Sequence, residues 1–130
     1  MGILEMNIFL AVAAVLAWLF GGMLIFMPQE FYAPIGIAMT PILATIPQAH
    51  GATLIGLGVI DWLARGADRR GIVAVLAGNL VTQILSLLVV ARTMQLGAGA
   101  AMAPAIVIHV VLGTLFTYFL IKATRLKASL

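Results

Sequence analysis

The sequence contains no cysteine. That excludes disulfides, cysteine-ligated iron–sulfur clusters and thiolate zinc sites, and leaves the redox compartment open. Charge is almost as scarce. Asp, Glu, Lys and Arg together make up 8% of the chain, against about a quarter of an ordinary soluble domain. None of them falls near the middle of a long apolar run, where proton pumps and cation exporters usually hold an ionisable group. Catalytic motifs are missing too. There is no Gly-x-Ser-x-Gly, and Ser86 has no base at helical spacing. Phosphate loops and dinucleotide fingerprints are also absent. The common hydrolase and nucleotide-binding classes therefore have no motif to rest on, and the expectation leans away from an enzyme.

What is present is apolar. Hydrophobic residues make up 64% of the 130 positions, one domain's worth of chain. A water-soluble fold of this size cannot hide so much apolar surface. A bilayer removes the difficulty, because lipid is then the solvent for the outer face. Net charge is +3 and the pI is ≈ 10.0. The few basic residues lie beside apolar spans, so they read as topology signals and not as a face for nucleic acid. The start of the chain carries Glu5 and no early Lys or Arg, and its apolar run is too long for a signal-peptide core, so a retained helix is expected there. Gly2 follows Met1, but Met6 replaces the Ser or Thr of a myristoylation signal.

About 20 apolar residues of helix cross a bilayer core. Four segments qualify: about 4–27, 42–64, 72–91 and 104–121. Pro104 suits a first helical turn, where a missing N–H is harmless. Pro41 starts the second helix in the same way, or Pro47 does, with the helix beginning near Gln48; otherwise Pro47 kinks it. The connection 28–41 is rich in proline and aromatics and belongs at the interface. Residues 65–71 form a short charged turn. Residues 93–103, with Gly97 and Gly99, read as a mobile link. Arg65, Arg69, Arg70, Lys122, Arg125 and Lys127 fall on one side of this arrangement and only Arg92 on the other. Positive charge stays in the cytoplasm. The expectation is an all-α integral membrane four-helix bundle, a single domain over 1–130, running up-down-up-down in the bacterial inner membrane with both termini cytoplasmic. Trp62, Tyr118 and Phe119 then sit at the inner interface, and Phe26, Phe31 and Tyr32 at the outer one.

Helices in lipid associate by close packing and interhelical hydrogen bonds. Small residues offer seams: Ala13, Ala17 and Gly21; Ala52 and Gly56, with Gly51 and Gly58 nearby; Ala74, Gly78, Thr82 and Ser86; Ala105, Gly113 and Thr117, with His109 on the same row. Asn79, Thr82, Gln83 and Ser86 share one face of the third helix. They read as interhelical glue, or as the wall of a small polar cavity. His50 and His109 are placed about 10 Å below the outer surface, at about 1.5 Å per residue. Two imidazoles at one depth suit a haem, a metal or a quinone carbonyl. The plainer reading is polar helix contacts near the headgroups, and a metal site lacks a third ligand. His50, His109, Asn79, Gln83 and Thr53 are the candidate ligand-binding residues. Asp61 lies about three turns from His50 on nearly the same face and four residues before Arg65, an order that favours an ion pair near a helix C-terminus. Glu5 lies within reach of Lys122 or Arg125 as a surface pair. Met39, Met94 and Met102 read as packing residues before soft-metal ligands.

Residues 50–65, with His50, Gly51, Gly56, Gly58, Asp61, Trp62 and Arg65, resemble the second-helix pattern of small bacterial four-helix membrane proteins, broadly DoxX-like in architecture. Gly78, Asn79 and Leu80, and the run Leu115, Phe116, Thr117, Tyr118, Phe119 and Leu120, extend the resemblance over three of the four helices. His50 and His109 stand where such proteins are expected to carry apolar or aromatic residues. The resemblance implies a link to quinone chemistry, since DoxX-type proteins include quinone-linked subunits.

Three functions remain open on this reading. One is a non-enzymatic accessory, scaffold or lipid-binding component. The second is a redox-linked subunit binding quinone or haem near His50 and His109. The third is a small-solute transporter or channel along the polar face of the third helix. The expected partners are the lipid bilayer and either further copies of the chain or a larger membrane complex.

Overall fold

The structure is a computed structural model describing residues 2–125; Lys127, counted above among the basic residues, lies outside them. Regular structure among the described residues is helical throughout: α1 (Gly2–Phe26), α2 (Pro28–Tyr32), α3 (Pro41–Ala64), α4 (Arg69–Thr93) and α5 (Ala103–Arg125). Three helical stretches are long and apolar enough to cross a membrane: Gly2–Phe26, Pro41–Ala64 and the 57 residues Arg69–Arg125. The last is broken between α4 and α5 and folds back on itself.

Local chemistry explains the ends. Thr40 caps α3, its hydroxyl accepting from Leu43 N–H at 3.2 Å, and Pro41 occupies the first turn, where no N–H is needed. Of the two starts suggested by proline, the helix takes Pro41 and runs on through Pro47. Asp68 caps α4, its Oδ1 accepting from Gly71 N–H at 2.8 Å. Replacing that carboxylate by Asp68→Ala is expected to reduce stability by about 1 kcal/mol, while Asp68→Asn, which still accepts, stays near wild type. Reversible unfolding of the detergent-solubilised variants measures the difference. The Gly- and Ala-rich link after α4 is wound into helical turns, Met94–Ala98 and Gly99–Met102. The chain reverses there at Gly97 (φ 114°) and Gly99 (φ 51°), left-handed positions that a residue without Cβ adopts most easily.

The chain divides into two compact units, Met1–Met6 with Gly66–Leu130, and Asn7–Arg65. Within Asn7–Arg65, α1 and α3 meet backbone to backbone. A Cβ on Gly51 would lie 2.6 Å from the Gly21 carbonyl oxygen, and one on Gly58 would lie 2.6 Å from Trp18 Nε1. Gln48 Nε2 donates to Ile25 O at 3.1 Å, and the Trp18 and Trp62 rings stand 5.5 Å apart. These contacts step forward along one helix as they step back along the other, so the two run antiparallel. The seam differs in register from the one the small residues suggested. Gly51 and Gly58 make it, whereas Ala52 and Gly56 face outward and nothing lies within 4 Å of a Cβ placed on Gly56. Small residues occur on both faces of α3, and only the partner's shape selects one.

Within the other unit, α4 packs along α5. Arg69 Nη1, at the start of α4, donates to Thr124 O at the end of α5 at 3.2 Å. Buried positions on α4 follow helical spacing, Ile72, Leu76, Asn79, Gln83 and Val90, and α5 contributes Phe116, Phe119 and Ala123. Ala74 and Gly78 lie on the opposite, exposed face of α4. Lys122 forms an ion pair with Glu5, which sits at the start of α1 within the same unit.

Candidate functional site

The polar residues of α4 are the best-built cluster. Asn79 and Gln83 are 2% and 7% exposed. They belong to the buried stripe because spacings of three and four residues return a side chain to the same helical face. Asn79 Nδ2 donates to Val75 O at 3.1 Å. Thr82 returns its hydroxyl proton to Gly78 O at 3.1 Å. Gln83 reaches across to α5, where its Oε1 lies 2.7 Å from His109 Nδ1. A carboxamide oxygen only accepts, so the imidazole donates from Nδ1. Gly113 lies one turn from His109 and packs against Gln83, where even a Cβ would meet Gln83 Cβ at an ordinary 3.5 Å.

The sequence had singled out Gln83 and His109 separately. The structure brings them together as one hydrogen-bonded pair between α4 and α5. Their spacing along the chain gives no hint of this, because the turn at Gly97 and Gly99 sets which residues of the two helices face each other. The pairing shows what the site does chemically. It joins a buried carboxamide on α4 to a part-buried imidazole on α5, and so ties the two helices in one register.

His50 and Thr53 lie in the other unit, on exposed surface of α3. The Thr53 hydroxyl donates to Ala49 O at 3.1 Å. Such a bond to the preceding turn lets a hydroxyl face an apolar medium without an outside partner. Asp61, by contrast, is 1% exposed, among the most buried side chains of the molecule. Arg65 turns onto Trp62: its guanidinium carbon sits 3.4 Å from the ring centroid, and Nε donates to Trp62 O at 2.9 Å. This cation–π contact was not legible from spacing alone, although an aromatic three residues before an arginine on a helix is the available signal.

Two open grooves lie on the surface of the described residues. One, of about 360 Å³, is lined by Arg69, Arg70, Val73, Ala74 and Thr124. The other, about 140 Å³, is walled by Tyr32, Ile37, Met39, Leu43, Ile46 and Pro47. Burial raises the Tyr32 phenol above its ordinary pKa, since the phenolate loses its hydration there. Among the described residues no three His, Asp or Glu side chains gather in a group that would hold a metal ion.

Comparison with known proteins returns no matching family model, no matching curated protein and no matching solved structure.

Proposed function

We propose that this chain is a four-span protein of the bacterial cytoplasmic membrane, with both termini inside, that works as a non-enzymatic accessory, scaffold or lipid-binding component. The observation supporting it most directly is the apolar outer surface. Phe26 is 82% exposed, Ile42 81%, Leu63 70% and Leu88 64%, so each long helix down to α4 presents bulky hydrocarbon outward, and α5 does the same with Val107, Val111 and Tyr118. Water penalises such a surface, and lipid does not. On this reading α4 and α5 are separate spans, and the four long helices run up-down-up-down as one bundle.

Orientation follows from Arg65, Arg69, Arg70, Lys122 and Arg125 at one set of helix ends and Arg92 at the other. A fluorescent reporter fused at the C-terminus is expected to be active in the cytoplasm. Alkaline phosphatase inserted between Gly97 and Gly99 is expected to be active outside. The reverse pattern rejects the orientation, and a monodisperse protein in detergent-free buffer rejects the membrane reading altogether.

Likeness to DoxX-type proteins keeps a second reading in view, a quinone-linked subunit, as an analogy of architecture. Its support is the imidazole of His109, which donates from Nδ1 to Gln83 and is therefore an acceptor at Nε2 in its neutral form. Mass spectrometry of lipid extracts from gently purified protein separates the readings. Ordinary phospholipid alone favours the accessory; stoichiometric quinone lost in His109→Ala favours the redox subunit.

A further inference from the structure

We infer that the groove at the start of α4 binds the phosphate headgroup and upper acyl chain of an anionic phospholipid. The inference rests on the membrane reading above and gives its lipid-binding function a site and a ligand class.

The groove is amphiphilic in the order a lipid requires. Arg69 and Arg70 stand at its mouth, and Val73 and Ala74 form the wall one turn further along α4. One more turn along lies Gly78, on the same exposed face, with nothing within 4 Å of its Cβ position. Beyond the two arginines this face of α4 is open, so an acyl chain can lie along Val73, Ala74 and Gly78 beneath a phosphate held at the guanidinium groups. The groove's volume of about 360 Å³ is wider than a phosphate ion needs.

One of the two charges is also uncommitted. Arg70 makes no hydrogen bond or ion pair among the described residues, while Arg69 is partly committed to Thr124 O. Asp68, the nearest carboxylate in sequence, is occupied in capping Gly71 N–H. An unpaired guanidinium at the edge of the hydrocarbon finds its best partner in a phosphodiester, which it can bind through two parallel N–H···O bonds. The cytoplasmic leaflet supplies that anion, and basic pockets between membrane helices on this side are suited to anionic headgroups. A free phosphate would use the guanidinium groups and leave the Val73–Ala74 wall idle, which is why the lipid is the committed occupant.

The test is native mass spectrometry of detergent-purified full-length protein titrated with phosphatidylglycerol, phosphatidylcholine or inorganic phosphate. Wild type is expected to hold one phosphatidylglycerol at least tenfold more tightly than phosphatidylcholine. Arg70→Gln is expected to lose about tenfold in that affinity, the scale of one charge-assisted contact. Ala74→Leu and Gly78→Leu place bulk on the face along which the acyl chain would lie, without altering charge, and both are expected to weaken phosphatidylglycerol by a similar factor. Gly78→Leu enters open space, so it folds even if Ala74→Leu does not. Equal binding of the two lipids overturns the inference, as does an unchanged Arg70→Gln. So does inorganic phosphate that displaces the lipid while both leucine variants bind as wild type, since the ligand is then a free anion. Binding in detergent has no sidedness. A reporter placing residues 66–68 outside the cell would therefore sink the orientation and leave the lipid result standing, and the two failures are distinguishable.

Discussion

Gly51→Ala is expected to lower the stability of the detergent-solubilised protein by about 3 kcal/mol, and Gly56→Ala, on the same helix, to change it by no more than about 0.5 kcal/mol. The added atom is the same methyl group in both cases. At position 51 it would lie 2.6 Å from the Gly21 carbonyl oxygen, 2.9 Å from Ile25 Cγ1 and 3.0 Å from Leu24 Cβ. The first of these is backbone of α1 and cannot rotate away, so α1 and α3 must separate. Separation also pulls apart the Gln48–Ile25 hydrogen bond and the Trp18–Trp62 contact. At position 56 the methyl meets nothing and slightly favours the helix. Unfolding followed by tryptophan fluorescence reads the effect directly, because Trp18 and Trp62 report on the same seam. A Gly51→Ala protein as stable as wild type would show that α1 and α3 do not approach closely in the folded protein. A Gly56→Ala protein as damaged as Gly51→Ala would show that the other face of α3 is covered.

Helical class and the extent of the apolar helices were legible in the sequence because both depend on local quantities. Length, hydropathy and a proline at a helix start, as at Pro41, are read within a few residues. The predicted segments 4–27, 42–64 and 72–91 fall close to α1, α3 and α4, and 104–121 falls inside α5. Register was not legible. Gly51 and Gly56 are equally small and equally suited to a seam, and only the position of Gly21 opposite decides between them. The same holds for Gln83 and His109, each recognisable as polar in an apolar helix but paired only through the reversal at Gly97 and Gly99. Arg65 shows the limit in another way. Its spacing to Asp61 suggested an ion pair, yet the guanidinium plane lies over Trp62, a contact whose strength depends on ring orientation that spacing alone does not encode.

Gln83→Leu is expected to destabilise the protein by about 2 kcal/mol, more than an interhelical hydrogen bond in a membrane ordinarily contributes. Such bonds average only about 0.6 kcal/mol because the separated helices find other partners. The larger figure comes from what the substitution leaves behind. Leucine matches glutamine in bulk but offers no acceptor, so the His109 Nδ1–H that now points at Gln83 Oε1 at 2.7 Å faces a methyl group. Leaving a part-buried donor without that acceptor carries a desolvation penalty, about 1–3 kcal/mol. A double-mutant cycle exposes this cause. If the penalty resides in the stranded imidazole, then His109→Leu introduced into the Gln83→Leu protein is tolerated better than His109→Leu in wild type, with a coupling of about 1 kcal/mol. Additive losses would mean that Gln83 and His109 act on α4 and α5 independently, and that the hydrogen bond between them does not hold the two helices in register. The cycle also bears on the quinone-linked reading. A pair coupled strongly in the ligand-free protein is already satisfied internally, and any ligand seeking the His109 imidazole must compete with a bond that also maintains the fold.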